Sequence, residues 1–555
     1  MKKNKDIFRL LHQNLVSQKG LALVATLIFV VVLTTFGIAI LSMTRNEIKL
    51  ATLQEESTKA FYLADAGVER AINWLENQDL PPNAEDLPPE NLDGTHIFEL
   101  ATGKYRVGIE PNITGETTAG YIINSEGWIT HEDDSKVSRK IRTLVTIANF
   151  AQYAYFSDEE AFPFNTDIPG WGGYAGQTIW FTGNDSFGGR VHSNSQFHIV
   201  DIPDFTGKVT STEETIDFWG SAYRPDGSDF PTDGEGFMGG YELGVDEIQL
   251  PQFRNISDLD DENSLQRIAG GSWSVGDFPS TDGVKIPSVI SGTDKVTTGG
   301  IYIKGNVNSI ELNVDNTTGT EGPNSKITIK QGSYPTKTTH ITLVKEPITL
   351  PPGSKLNGVA ADGTVIPANT TLYLEEGTTD YKSYIGLTNG VMFVEGAIGS
   401  LYGENHRGKM SIVSTQSITI SDNIYYYDRD KSKDLFEDDI QAIDDSLGLI
   451  AAKDVKIASS APNNIEIDAI IMALNTSFFY NGWQNYMRDT LSLLGGLIQK
   501  QRGPVGTHNA GVKITGYSKQ FIYDTRMANP ASGYLPPYFP STGKYEKMWW
   551  REVVD

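Results

Sequence analysis

The chain has 555 residues, 39% of them hydrophobic and 10% aromatic, with 55 glycines and a formal net charge of −25; the length predicts two or three domains and the composition leans to turn-rich β structure. The acidic balance repels phosphate backbones, and no Lys/Arg stripe compensates for it, which excludes nucleic-acid binding as the main activity. The absence of cysteine excludes disulfides, zinc–thiolate centres and a thiol nucleophile together.

From Leu21 to Met43 the sequence runs LALVATLIFVVVLTTFGIAILSM without a charge, long enough to cross a bilayer as a helix. Lys2, Lys3, Lys5, Arg9 and Lys19 precede it against one acid, Asp6, so the N-terminus is expected in the cytoplasm and everything after Met43 outside. Apolar and small residues then continue at helical spacing through Ala60, Leu63, Ala64, Gly67, Val68, Ala71 and Leu75, so one helix is predicted to reach Leu75 and to end before Asp79-Leu80-Pro81-Pro82. At 1.5 Å per residue such a helix is about 75 Å long, far more than a bilayer needs, and its outer part requires a packing partner.

Gln18-Lys19-Gly20 before an apolar helix resembles the site of a prepilin peptidase, which implies cleavage between Gly20 and Leu21. AFYLADAGVERAINWL, Ala60 to Leu75, is similar to the AFYxAEAGxExA signature of PilX-type N-terminal domains, a type IV pilin-like family, through Ala60, Phe61, Tyr62, Ala64, Asp65, Ala66, Gly67 and Glu69. The resemblance covers Met1 to Leu75 and implies a helix carrying a small antiparallel head. The partners it implies are other pilin-like subunits, their assembly platform, a prepilin peptidase and the inner membrane. The sequence departs from major pilins in one respect: the fifth residue after the cleavage point is Ala25, where they carry glutamate. In that family the carboxylate neutralises a neighbour's N-terminal amine inside an apolar core, where an isolated charge is costly. A subunit without it suits the tip of a filament or rare incorporation.

Residues 1–20 are thus read as a leader, 21–78 as the helix and 79–150 as the head, whose strands are predicted at Lys104–Ile109, Tyr121–Ser125 and Lys140–Ile147. Residues 151–555 form the exported β domain. Within it Gly188-Gly189-Arg190-Val191-His192-Ser193-Asn194, Gly495–Gly506 and Tyr523-Asp524-Thr525-Arg526 are similar to a domain of unknown function found behind PilX-like N-termini (DUF4900-like), a resemblance that brings no activity with it. Short β runs recur at 300–305, 325–330, 390–396, 409–414, 448–457 and 465–473, and from Phe393 to Ile412, Ile450 and Ile470 the spacings are 19, 38 and 20. That is close to one or two turns of a parallel β-solenoid, placed at about residues 290–475, with an irregular sandwich as the alternative. The fold class expected is α+β, mainly β.

Asp428, Asp430, Ser432, Asp434 and Asp439 place oxygen ligands at alternating positions, the pattern that converges on calcium. Lys433 stands where an EF-hand has its turn glycine, Asp439 where it has a bidentate glutamate, and Arg429 and Lys431 add repulsion, so a solvated acidic loop competes with the calcium reading. Nothing else in the chain calls for a cofactor. His192 and Ser193 are neighbours on a strand and point to opposite faces, which separates a nucleophile from its base. Aromatic residues cluster at Phe478–Trp483, Tyr534–Phe539 and Trp549-Trp550, as core or as stacking surface for an extracellular glycan or surface ligand. The function expected is a minor pilin or pseudopilin-like subunit, structural and adhesive and not an enzyme; the alternative is a membrane-anchored surface β-helix enzyme acting on polysaccharide.

Overall fold

The computed structural model describes residues 3–78, 87–114, 117–131, 134–162, 176–183, 185–200, 202–219, 236–315, 322–333, 335–431, 440–509, 512–529 and 533–553. The chain divides into two units, Met1–Thr146 with Tyr545–Asp555, and Ile147–Lys544.

In the first unit one uninterrupted helix, α1, spans Lys3–Glu76. The Asp79–Pro82 stop lies outside the described residues. Side chains from Leu21 to Met43 are exposed although strongly apolar, whereas Ala60, Leu63, Ala64, Val68, Ala71 and Leu75 are buried. What buries them is an antiparallel sheet of β1 (Phe98–Leu100), β2 (Gly103–Thr114), β3 (Thr117–Thr130) and β4 (Lys136–Asn149). Each of the three strands expected in the head falls within β2, β3 or β4. A fifth strand, Ser541–Val553, lies beside β4 and returns the end of the chain to this sheet. Alternation sets the inner face: Val107, Ile109, Tyr121, Ile123, Ile141 and Val145 close on the helix, and polar neighbours turn away.

The second unit is a stack of parallel strands. Its first strand, β5 (Tyr153–Glu159), sits in the middle of that stack, between Met487–Gln501 on one side and Arg190–Ser193 on the other. From β5 the chain builds one way through Arg190–Ser193 and Val209–Ser211 to Tyr241–Leu243. It resumes at the opposite end with Ile301–Lys304 and comes back through Val391–Glu395, Lys409–Ser414, Ser446–Ala451, Ile465–Ala473 and Met487–Gln501. The parallel stacking therefore extends on both sides of residues 290–475. A second parallel ladder runs beside it through Val307–Asp315, Ile398–His406, Ile418–Tyr426 and Val455–Ile457.

The register corrects the repeat read from the sequence. Phe393 pairs with Val413, Val413 with Ile450 and Ile450 with Met472, spacings of 20, 37 and 22. Ile412 belongs to the other face: with Met392, Leu449 and Ile471 it lines the interior of the stack, while Phe393, Val413, Ile450 and Met472 join a second core on the outside. The short helices Phe253–Ile256 and Leu265–Gly270 and the segment around Phe539 cover that second core. Parallel strands buried on both faces need continuous apolar runs, which is why Ile470-Ile471-Met472 has no polar alternation. Phe187, Phe205 and Phe237 stack at 5.6 and 5.2 Å inside the stack, one ring per level.

Residues 324–385 leave the parallel repeat. Asn324–Gln331, Lys337–Val344, Thr370–Glu375 and Asp380–Ile385 pair antiparallel with Val307–Asp315 and one another, so the run at 325–330 belongs to this side sheet.

Candidate functional site

Leu21–Glu76 is long and apolar enough to cross a membrane. Within its charge-free stretch Thr26, Thr34 and Thr35 donate their hydroxyls to carbonyls of the preceding turn, at 2.7–3.0 Å. Such internal bonding is what an apolar solvent demands. Gly20 and Leu21 both lie inside the continuous helix, and Leu21 and Ala25 are exposed on it.

The signature residues divide by task. Ala60, Ala64 and Gly67 form a small-residue stripe against β3, where a Cβ on Gly67 would overlap the hydroxyl of Ser125. Backbone meets backbone there, so bulk on this stripe would lift the helix off the sheet. Phe61 is half-buried with its ring 6.0 Å from that of Trp550, Tyr62 is exposed and 5.8 Å from Phe61, and Ala66 is half-buried. Asp65 and Glu69 converge on Lys547 of the closing strand, at 3.9 and 2.6 Å, and Glu76 accepts from the Tyr545 amide at 3.3 Å. The signature thus holds both the middle of the sheet and its closing strand to the helix. The closing strand's part in this carries no local signal in the sequence.

The Arg190–Asn194 motif lines the junction at β5. His192 and Ser193 are both fully buried on opposite faces. His192 stacks on Phe156 at 5.1 Å and bonds Thr210 and Asn194 through its two ring nitrogens, and burial pulls its pKa below the ordinary histidine range. Ser193 bonds Ser157 on the inner side, 3.0 Å away. Asn194 donates to Asp158 and to the carbonyl of Ile248 and accepts from the amide of Ile248, tying three segments together. These are the bonds of a junction: the hydroxyl that meets the imidazole is that of Thr210, at 2.7 Å, and the Ser193 hydroxyl lies on the other face.

Gly495–Gly506 and Tyr523–Arg526 each contribute to a buried ion pair. Arg502 pairs with Glu160 at 3.0 Å and Asp185 at 3.5 Å, and Lys519 pairs with Asp185 at 2.6 Å. Burial raises the Asp185 carboxyl, but Lys519 and Arg502 outweigh it and hold the group below its usual range. Asp524 and Arg526, both fully buried, form a bidentate pair at 2.5–2.9 Å, and the guanidinium also donates to the carbonyls of Ile443 and Asp445.

Of the candidate calcium ligands, Ser432, Asp434 and Asp439 lie outside the described residues. Asp428 is held 3.8 Å from Arg407, and burial together with Asp445 raises its carboxyl. Arg429, read as a source of repulsion, is committed elsewhere: it pairs with Asp468 at 2.5 Å and Glu466 at 2.6 Å. Lys431 donates to the carbonyl of Glu404. Among the described residues no three histidine or acidic side chains converge as a metal set. The aromatic run Phe478, Phe479, Tyr480 and Trp483 is core, and Phe539 is too; Trp549 and Trp550 stay exposed.

Residues 121–213 match a family model described as a domain of unknown function, DUF4900. That span takes in most of β3, all of β4 and β5, and the His192 motif. No curated protein matches the sequence. Among solved structures the chain is similar to the competence-associated pilin ComZ from Thermus thermophilus, at 11% identity and a TM-score of 0.30, over 90% of this chain and 98% of that one; a likeness at that level carries no argument.

Proposed function

We propose that this chain is a minor pilin-like subunit of a type IV pilus or a type II secretion-like system, held in the inner membrane by α1 and displaying the β-solenoid unit outside in a structural and binding role. One observation carries the reading: a single helix is apolar and uncovered from Leu21 to Met43 and, without a break, small-faced and buried under an antiparallel sheet from Ala60 to Leu75. An exposed apolar face of that length is unfavourable in water and needs lipid, or the matching helices of other subunits, around it. The stripe Ala60, Ala64, Gly67 fixes the head on the remaining length.

Processing between Gly20 and Leu21 tests this directly. Co-expression with an active prepilin peptidase should remove the first twenty residues, read by intact mass, and Gly20→Trp should block the removal. A chain that keeps Met1 to Gly20 beside an active peptidase is an anchor and not a pilin-like subunit.

A further inference from the structure

The antiparallel side sheet carries a groove. Two cavities of about 360 and 410 Å³ share Lys326 and His340 and so form the two ends of one depression, within the size range of small-ligand sites. Strand register builds its floor in rungs: Asn313, Lys326, Thr342 and Leu372 stand abreast on four strands, and Glu311, Thr328, His340 and Leu374 on the next rung. The alternate residues, Ile310, Leu312, Ile327, Ile329 and Ile341, point the other way into the core, so the floor is rigid. One wall is the turn around Ile348, Leu350 and Pro351 with Tyr381 behind it, seated on a small core of its own.

The lining suits a particular ligand chemistry. Lys326 and Lys330 share the lining with Glu311, Asp315 and Glu376. His340 shares a 3.1 Å hydrogen bond with Thr328, and burial with Lys326 nearby keeps its pKa below the ordinary range. Donors and acceptors interleave with hydroxyls and an apolar wall, and neither sign of charge dominates. Such a surface recognises many hydroxyls on an uncharged ring; a polyanion would meet three carboxylates and the acidic field of the whole chain. A peptide would seek a free strand edge, and the strands of this floor are already paired on both sides.

We propose that this groove, centred on Lys326, Thr328 and His340, binds a neutral oligosaccharide. The proposal deepens the binding role given above and rests on it only in placing the groove outside the cell. The proposal is for binding without cleavage: Glu376 directly follows Thr370–Glu375, three strands from Glu311 and about 14 Å away along the backbone at ~4.8 Å per strand, wider than the about 5–10 Å between the carboxyls of hydrolytic pairs.

The full chain in detergent, immobilised, is to be probed with maltohexaose, cellohexaose and hexameric N-acetylglucosamine, against oligogalacturonate and a hexapeptide of mixed sequence. At least one neutral sugar should bind and be recovered at full length. Lys326→Ala should weaken it about tenfold or more, the loss of one charged hydrogen bond, and Thr328→Trp should weaken it at least as much by filling the groove. Ile290→Ser, at an exposed position elsewhere, should leave binding unchanged with all three variants melting like wild type. No retention of any neutral sugar overturns the proposal, as do equal binding by the groove variants, preference for the acidic sugar or the peptide, or release of shortened products. Leader removal is scored on the same proteins: a cleaved chain that binds no sugar refutes the groove alone, and an uncleaved chain that binds sugar refutes the pilin-like reading alone.

Discussion

Gly127 of β3 lies so close beneath Ala60 of α1 that a Cβ on it would overlap the Ala60 carbonyl oxygen, as well as the Ala64 amide, and stand 2.7 Å from the Leu63 Cβ. The small residues of the signature and this glycine are therefore one device, each useful because the other is small. Gly127→Val should force the helix and β3 apart at a cost of about 2 kcal/mol, roughly thirtyfold in local opening. Hydrogen exchange of Thr117–Thr130 should quicken while Ile465–Ala473 keeps its protection. Unchanged exchange in β3 would show that the contact is looser than it stands here.

The Asp524–Arg526 pair is predicted to matter through what is left behind when it is broken. Both side chains are fully excluded from water, so Asp524→Ala takes the carboxylate from a buried guanidinium that also donates to the carbonyls of Ile443 and Asp445, at a cost of about 3–5 kcal/mol. The double variant Asp524→Ala/Arg526→Met removes the charge as well and should recover part of that loss, a coupling visible in a denaturant double-mutant cycle. A double variant as unstable as the sum of its singles would disprove the pairing.

How much of this could be read in advance depended on how locally each feature is written. The helix and the strands of the head were legible because Ala60 to Leu75 and Lys104 to Ile109 bury one face and wet the other. The parallel ladder was legible only as apolar runs: with both faces buried, nothing in Ile412-Val413 says which residue enters which core, and a one-residue slip exchanges them. Lys547 meets Glu69 from 478 residues away, and Arg429 meets Asp468 across 39, so neither partnership had a sequence signal. The groove was illegible for a related reason. Lys326, Thr328 and His340 are ordinary outward residues of alternating strands until pairing sets them side by side.

His406 supplies a pH dependence of defined sign. It is buried, its Nε2 lies 3.2 Å from the Ser446 carbonyl, and burial pulls its pKa down to about 4. The unfolded chain takes up the proton near 6.5, so between about pH 6.5 and 4 only the unfolded state gains it. Stability contributed by His406 is therefore whole above that window and is lost as pH falls through it, by about 3 kcal/mol at pH 4. His406→Gln, which keeps a donor for Ser446, should flatten the difference between urea midpoints at pH 7 and pH 4 relative to wild type. Asp468, whose carboxyl burial pushes up to about 7, acts in the opposite sense over part of the same range, so the comparison must be between variant and wild type and not between two pH values of one protein. An unaltered pH slope in His406→Gln would remove the histidine from the account.

The last prediction concerns Ala25, which sits on the uncovered apolar length of α1. If cleavage exposes Leu21 as the first residue, its new amine is a charge inside an apolar assembly, and a carboxylate at the fifth position of a neighbour is what offsets it in the pilin-like family. This chain cannot offer that carboxylate to a neighbour. It can still insert beneath no one, at a tip, or rarely elsewhere, because an unpaired charge among apolar helices costs several kcal/mol. Immunogold labelling of sheared filaments should then give sparse or terminal label for the wild-type chain. Ala25→Glu restores the partner and should raise the share of label found along the shaft. Uniform labelling of wild-type filaments would contradict the charge argument outright. Label that stays terminal in Ala25→Glu would show that something other than the missing carboxylate keeps this subunit out of the shaft.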